Sequence, residues 1–272
     1  MNLRTALLQG QQMLEAARID VPRLTAEVLL AHAIGCDRVW LYAHSDEELK
    51  ELWWIHYGRY LHERLKGKPT QYITGVQEFY GREFRVTPDV LIPRPETEHS
   101  IEAALPFCAG RVADLGTGSG AIGVTLSLES KAEVVCADIS EAALRVAAAN
   151  ARRLGSKARF AVSDLGTAFA SESFDLIVSN PPYVPDAGNE TMQREVSEHE
   201  PHLAIFGGFD GLALYRRLVP EAARLLKPGG HLVMEIGWLA SAAVGAMLGG
   251  WRNVEAKPDL AGIPRVVIAT RP

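Results

Sequence analysis

Arg111-Val112-Ala113-Asp114-Leu115-Gly116-Thr117-Gly118-Ser119-Gly120 decides how the chain is read. Its first five residues form a short apolar run, the mark of a strand buried on both faces. Glycines at 116, 118 and 120 then turn the backbone tightly, and Ala121-Ile122-Gly123-Val124 opens a helical stretch. Strand, glycine turn and helix make the first half of a βαβ unit.

Downstream, the same alternation recurs. Glu133–Ala137, Arg159–Val162, Phe174–Ser179 and His231–Ile236 are further short apolar runs with helical stretches between them. The clearest helix has Ser140 as N-cap, runs through Ala142–Leu154 and stops at Gly155. Lys227-Pro228-Gly229-Gly230 reads as a tight turn. Asn253–Lys257 and Val266–Thr270 follow as a late hairpin. Residues 96–272 are therefore expected to form a doubly wound α/β sheet with a C-terminal antiparallel hairpin.

Upstream, residues 1–66 read as a small N-terminal helical bundle. Leu3, Leu7, Leu14 and Ala17 share one helical face, and Ala26, Leu29, Leu30 and Ala33 another after Pro22. Ser45-Asp46-Glu47-Glu48 has the form of a capping box, predicting a helix from there through Leu52, Ile55 and Leu61 to Gly67. Trp53, Trp54, Tyr57, Tyr60 and Leu61 on that helix read as core and interface. Residues 67–95 change character: Tyr72, Ile73, Val76, Phe79, Tyr80, Phe84 and Val86 are β-formers among Gly75, Gly81 and Pro88. A β-hairpin linker is expected there.

The 272 residues suggest more than one domain, and 47% hydrophobic against 22% charged residues is ordinary for a globular protein. Cys36, Cys108 and Cys136 are scattered without a C-x-x-C pair, which excludes a disulfide framework and fits a reducing cytoplasm. No run approaches the roughly 20 apolar residues of a membrane span, and the first residues lack a signal-peptide pattern. A net charge of −5 argues against broad binding to nucleic acid. The first seventy residues hold nine Lys/Arg and nine Asp/Glu, so they form no basic arm. His199 and His202 flank Glu200 without His-Glu-x-x-His spacing, so no metal is expected.

The glycine turn suits a ligand that approaches the backbone closely beside a helix N-terminus. Asp138 ends the next strand, where a carboxylate accepts hydrogen bonds from a ribose diol. These two features fit a nicotinamide dinucleotide as well as S-adenosyl-L-methionine, and Gly118–Gly123 even satisfies G-x-G-x-x-G. Asp114 tilts the balance: a carboxylate before the glycines repels a pyrophosphate but suits an ammonium and a sulfonium. Asp164, after the third strand, stands where it can accept from an adenine amino group or simply cap a loop.

Asn180-Pro181-Pro182-Tyr183 directly follows the fourth strand. The prolines stiffen the backbone and remove its donors, so the stretch presents acceptors. The Asn180 side-chain oxygen and the Pro181 carbonyl can both accept from one –NH2 group, with the Tyr183 ring expected flat against the planar group carrying it. An amide nitrogen is a poor nucleophile because its lone pair is delocalised. Two acceptors on its hydrogens favour a pyramidal nitrogen that a methyl donor can reach. Asn-Pro-Pro is also a common loop terminator; its place after a fourth strand, behind Asp114, Gly116–Gly120 and Asp138, favours the catalytic reading.

Gln71-Tyr72-Ile73-Thr74-Gly75, Glu78-Phe79-Tyr80-Gly81, Leu91-Ile92-Pro93-Arg94-Pro95-Glu96-Thr97-Glu98, the Asp114–Gly120 loop, Asn180–Tyr183 and Glu200-Pro201-His202-Leu203-Ala204 lie in this order. Together they resemble the glutamine methyltransferases of peptide chain release factors (the PrmC/HemK family), over most of the chain. The resemblance implies a Rossmann-like methyltransferase sheet and transfer of a methyl group to the N5 amide of glutamine in the Gly-Gly-Gln motif of class I release factors. S-adenosyl-L-methionine would become S-adenosyl-L-homocysteine. It further implies cofactor contacts from Gly116, Thr117, Gly118, Ser119, Gly120, Asp138 and Asn180, and a glutamine cradle of Asn180, Pro181, Pro182 and Tyr183. Asp114, Asp164 and Leu165 complete the expected cofactor set. The Ile92–Glu98 segment would line the same cleft. The front domain would dock the release factor, and a cytoplasmic monomer is expected. Leu165 is a departure, since the family often has an aromatic residue there beside the adenine.

Three rival readings remain. An adenine-N6 DNA methyltransferase uses the same four-residue element but needs a basic groove. A nicotinamide dehydrogenase would leave Asn180–Tyr183 without a role. A non-catalytic release-factor or ribosome binder would leave the glycine loop unexplained.

Overall fold

Buried apolar faces assemble the elements into two compact units in the computed structural model, which describes residues 1–186, 192–238, 240–259 and 261–272. The first unit holds Met1–Gly75 together with Gln193–His199. Its helices are α1 (Leu3–Ala16), α2 (Pro22–Ile34), α3 (Arg38–Ala43), α4 (Glu51–Leu65) and α5 (Thr70–Thr74). Asn2 caps α1 by accepting from the Thr5 amide at 2.9 Å, and Pro22 starts α2 where no amide is needed. Leu3, Leu14, Leu29, Leu30, Tyr57 and Leu61 close the core of this bundle. Arg64, nearly buried, pairs with Glu195 of the returning segment at 2.5 Å.

The capping box expected at Ser45 does not form. Residues 45–48 pair with the start of the chain instead. The carbonyls of Ser45 and Glu47 accept from the amides of Arg4 and Leu3 at 2.9 and 3.0 Å, and Glu48 bridges Asn2. Those two amides are first-turn donors of α1 that have no partner within the helix. The segment thus caps a helix remote in sequence, and α4 starts only at Glu51. Two further elements depart from expectation. Tyr72 and Ile73 lie in the short helix α5, and α3 is a separate turn of helix whose cap, Asp37, accepts from the Trp40 amide at 2.7 Å.

The second unit holds Val76–Met192 and Glu200–Pro272. It opens with a hairpin of β1 (Val76–Phe79) and β2 (Arg82–Arg85), joined by Tyr80 and Gly81, both at positive φ as a two-residue turn requires. Phe79 and Phe84 meet edge to face and pack with the core of this unit, so the hairpin belongs to it.

A seven-stranded sheet follows, ordered β5-β4-β3-β6-β7-β9-β8. Its strands are β3 (Arg111–Leu115), β4 (Glu133–Asp138), β5 (Arg159–Val162), β6 (Phe174–Ser179), β7 (Leu226–Glu235), β8 (Arg252–Pro258) and β9 (Pro264–Thr270). The first five run parallel, whereas β9 pairs antiparallel with both β7 and β8. Helices α6 (Glu98–Ala104), α7 (Ala121–Glu129), α8 (Glu141–Leu154), α10 (Ala213–Leu225) and α11 (Ser241–Met247) belong with the sheet; α9 (Arg194–His199) lies in the first unit. Leu176, Val178 and Val233 pack with the cluster of Ile101, Val124 and Cys136, while Ile177, Leu232 and Met234 pack with that of Tyr215, Leu218 and Leu225. That two-sided burial is why the strands read as unbroken apolar runs. Lys227–Gly230, expected as a turn, is absorbed into the start of β7, where the pairing with β6 shifts register between Phe174 and Leu176.

The chain runs outward from β3 to β4 and β5, then returns to place β6 on the other side of β3. Ligands of open α/β sheets bind at such a reversal, beyond the carboxyl ends of the strands. Behind it, α7 lies hard against the sheet. A Cβ at Gly123 would come within 2.4 Å of the Cys136 sulfur and 2.9 Å of Asp114 Oδ2. Gly123→Ala is therefore expected to destabilise the chain by about 1–3 kcal/mol, measured by urea unfolding; an unchanged midpoint would contradict the tight contact.

Candidate active site

Leu115 and Ser179 are register partners at the ends of β3 and β6, and the Ser179 hydroxyl donates to the Leu115 carbonyl at 2.6 Å. The glycine turn and Asn180 therefore leave neighbouring strands side by side. Gly116 and Thr117 both donate their amides to the Ala137 carbonyl, at 2.8 and 3.0 Å, which folds the turn over the end of β4. Gly116 and Gly118 have φ of +78° and +54°, and the Cβ direction at each meets nothing within 4 Å.

Asp138 holds this wall together. Its Oδ2 accepts from the Gly118 amide at 2.8 Å and its Oδ1 from the Ser140 amide at 2.9 Å. Each carboxylate oxygen has two lone pairs, so each keeps one direction for a ligand. On the far side, Asp164 and Leu165 line the same cleft, with Ile139 and Ala143 adding apolar surface. Asp164 Oδ2 accepts from Arg217 at 2.7 Å.

The opposite wall is Asn180, Pro181 and Pro182, with Val90, Pro93, Arg94 and Thr97 from the segment before α6. Glu200, 4% exposed, ties that segment to the chain that follows it: Oε2 accepts from the Ile92 amide at 3.1 Å and Oε1 from Arg94 at 2.5 Å. Val184 pairs with the 205–207 stretch through its amide to the Ile205 carbonyl at 3.0 Å and its carbonyl to the Gly207 amide at 2.8 Å. Leu203, Ala204 and Phe206 thereby join the cleft.

Asn180 Nδ2 donates to Thr97 Oγ1 at 3.1 Å, and Thr97 donates to Glu235 Oε2 at 2.7 Å. The Tyr183 hydroxyl donates to Glu235 Oε1 at 3.3 Å. Burial pushes the Glu235 carboxyl up, against the two hydroxyl donors and the Arg265 charge. Burial first, and then the Glu235 charge, pushes the Tyr183 phenol up.

Gly116, Thr117, Gly118, Ser119, Asp138, Asp164, Leu165, Asn180, Pro181 and Pro182 thus converge on one cleft of the second unit. Three expected residues stand outside its lining. Asp114 is fully buried, and its Oδ2 accepts from Thr117 at 2.5 Å and from the Gly123 amide at 2.8 Å. Burial pushes its carboxyl up to about 6, against those two hydrogen bonds. Both hydrogen bonds fall on Oδ2 and brace the loop from beneath, while the buried Oδ1 has no partner among the described residues. Gly120 caps α7, and a Cβ there would press on Ala147 at 3.1 Å. Tyr183 is not among the residues lining the cleft, and its ring packs on Gly237, where a Cβ would lie 3.0 Å from Cδ2. Conversely, sequence reasoning set Thr97 only within the Ile92–Glu98 segment expected to line the cleft, gave Glu200 no task beyond its motif, and did not single out Glu235. For Glu235 a signal existed: a charge at the end of the apolar run Leu232–Met234. Among the described residues, no group of three or more His, Cys, Asp or Glu is placed to hold a metal.

Known proteins resemble the chain in both sequence and fold. Residues 5–75 match the model of the PrmC N-terminal domain, and residues 99–209 that of the methyltransferase small domain. A release factor glutamine methyltransferase of Koribacter versatilis is 46% identical over 100% of this chain and 99% of its own length. That of Moorella thermoacetica is 43% identical, with the same coverage. Among solved structures, a Pyrococcus furiosus methyltransferase superposes with a TM-score of 0.54 at 18% identity, covering 71% of this chain and 90% of its own. A T. thermophilus 16S rRNA methyltransferase in complex with AdoMet and guanosine gives 0.53 at 22% identity, covering 72% and 50%. These two likenesses speak for the fold. Full-length identity to the first pair decides the family: the chain is a member of the release factor glutamine methyltransferases.

Proposed function

We propose that the chain methylates the N5 amide of the glutamine in the Gly-Gly-Gln motif of class I release factors, with S-adenosyl-L-methionine as donor and S-adenosyl-L-homocysteine as product. The carrying observation is the Leu115–Ser179 register, which sets a glycine cradle and an acceptor ledge on two walls of one cleft. When bound, the cofactor supplies an electrophilic methyl group on a sulfonium. The residues fit it on their own chemistry. Asp138 keeps a lone pair on each oxygen for a ribose diol, and Gly116 and Gly118 leave open space where a side chain would intrude. Asp164 and Leu165 offer a carboxylate and an apolar side chain to the base.

Asn180 and Pro181 line the cleft, and in this reading Asn180 Oδ1 and the Pro181 carbonyl accept the two hydrogens of the substrate carboxamide. Drawing those hydrogens out of the amide plane returns the lone pair to nitrogen. Holding that nitrogen within reach of the methyl group would contribute through proximity, up to roughly 7–11 kcal/mol. The bound cofactor would supply the methyl group with its sulfur as leaving group, and the amide nitrogen would give up one proton to water. An adenine-directed methyltransferase is not favoured, because the full-length relatives carry the release factor name.

The helical unit is assigned to docking of the release factor. On α4, Leu52 and Ile55 are 62% and 58% exposed one turn apart, an apolar pair that a protein partner can cover. A cytoplasmic site of action fits such a substrate, and no helix among the described residues is long and apolar enough to cross a membrane.

The deciding experiment is mass spectrometry of a release factor incubated with the enzyme and labelled cofactor. One methyl on the Gly-Gly-Gln peptide is expected, and no labelled glutamine would refute the reading. Asn180→Ala should lower turnover about 100-fold with a smaller loss of cofactor affinity; undiminished turnover would remove its role. Asp138→Ala should weaken cofactor binding about tenfold or more by calorimetry, and an unaltered Kd would count against the ribose contact. Replacing Leu52 and Ile55 together by Glu should raise KM for intact release factor while a short Gly-Gly-Gln peptide is methylated as before; equal effects on both substrates would dismiss docking through α4.

A further inference from the structure

We propose that Glu235 and Thr97 are positioning residues that fix which end of the Asn180 carboxamide faces the cleft. The inference rests on the reading above, in which the Asn180 oxygen accepts from the substrate amide. An asparagine side chain has two ends of nearly equal size, one accepting and one donating. Turned the wrong way, it would set its own –NH2 against the –NH2 of the glutamine. Something must choose the orientation before substrate arrives.

The sheet supplies the choice. Ser179 and Met234 are register partners, so Asn180, just past the end of β6, and Glu235, the last residue of β7, come next along the two neighbouring parallel strands. Thr97 enters between them from the short turn of helix Pro95–Thr97. Both Glu235 oxygens accept from hydroxyls, Oε2 from Thr97 at 2.7 Å and Oε1 from Tyr183 at 3.3 Å. A hydroxyl carries one proton. That of Thr97 is committed to the carboxylate, so toward Asn180 it offers lone pairs alone. Asn180 Nδ2 accordingly sits 3.1 Å from Thr97 Oγ1, and Oδ1 is left for the cleft that Asn180 lines. Carboxylate, hydroxyl and amide form a one-way relay in which each link dictates the next. Glu235 and Thr97 are 2% and 4% exposed, so bulk water does not compete for the links.

The relay also accounts for Tyr183. Its hydroxyl is the second donor that occupies the carboxylate, and its ring rests on Gly237 to bring it there. The fourth member of Asn180-Pro181-Pro182-Tyr183 thus serves the first through Glu235 and Thr97.

The test is steady-state methylation of a release factor by the full chain, with cofactor affinity and melting temperature measured alongside. Thr97→Val keeps the shape and removes the hydroxyl. It should lower kcat about 10- to 100-fold, with cofactor Kd within about twofold and KM moved less than kcat. Thr97→Ser restores the hydroxyl and should recover kcat to within about fivefold of the parent. Glu235→Gln can donate to Thr97 and reverse the relay, so it should lose kcat to a similar degree. The double variant Thr97→Val with Glu235→Gln should be little worse than Thr97→Val, because both break one relay. Parental kcat in Thr97→Val, a loss that serine does not recover, or a double loss equal to the product of the singles would overturn the proposal. Should Glu235→Gln fail to fold, the valine–serine pair decides alone. If Asn180→Ala is disabled while Thr97→Val is not, the relay falls and the site reading stands. If Asn180→Ala turns over normally, the site reading itself has failed.

Discussion

Parallel pairing of β3 with β6 is the constraint on which the site depends. It is a reversal of strand order: the chain builds β3, β4 and β5 outward, then comes back to lay β6 against β3. In any parallel pair the two strands end on the same side. Here they end in register, at Leu115 and Ser179, so the turns that follow cannot diverge before they form opposite walls. A slip of one residue would turn Ile177 and Val178 to the wrong layers of the core as well as displacing Asn180. The hydrophobic layers and the active site are therefore held by one register, and the energy that fixes it comes from burial on both faces.

Around that frame the chain uses buried carboxylates as anchors. Asp114 braces the glycine turn from beneath, through Thr117 and the Gly123 amide. Glu200 gathers Ile92 and Arg94. Glu235 gathers Thr97 and Tyr183. A buried carboxylate is costly unless its oxygens are satisfied, and a satisfied oxygen holds its donors rigidly; Asp114 Oδ1, buried without a partner among the described residues, bears that cost. Only Glu200 of the three has an ion pair among the described residues. The other two carboxyls are pushed up by burial, a cost carried at the edges of the cleft where geometry matters most.

What was legible in the sequence follows the reach of each signal. The strands of the sheet could be read closely because two-sided burial writes them as local apolar runs, and the Ser140 cap and Gly155 stop of α8 are local too. That the glycine turn, Asp138 and Asn180 share one cleft was legible because all three stand at strand ends. The failures were all questions of partner. Ser45–Glu48 has the composition of a capping box, yet its carbonyls serve the first turn of α1, some forty residues away. Tyr72 and Ile73 are β-formers, and the short helix α5 overrides that preference. Asp114 and Tyr183 were expected at ligands on charge and ring chemistry. The partners they have within the chain, Thr117 and Gly123 in one case and Glu235 in the other, are set by side-chain direction at the end of a strand, which spacing along the chain does not encode.

The polarity of the cleft follows from where the donors go. Pro181 and Pro182 have no amide protons. The Thr97 proton is taken by Glu235, the Asn180 amino group by Thr97, and the Gly118 and Ser140 amides by Asp138. On the Asn180 side of the cleft, a carboxamide oxygen and a backbone carbonyl are left as acceptors on the proposed reading, with Arg94, paired to Glu200, also lining the cleft. A carboxamide nitrogen satisfies such a surface with its two protons, whereas a hydroxyl brings one and a carboxylate none. On the proposed reading, preference for an –NH2 group comes from occupying donors as much as from supplying acceptors. On that reading it depends on Thr97 and Glu235 as well as on Asn180.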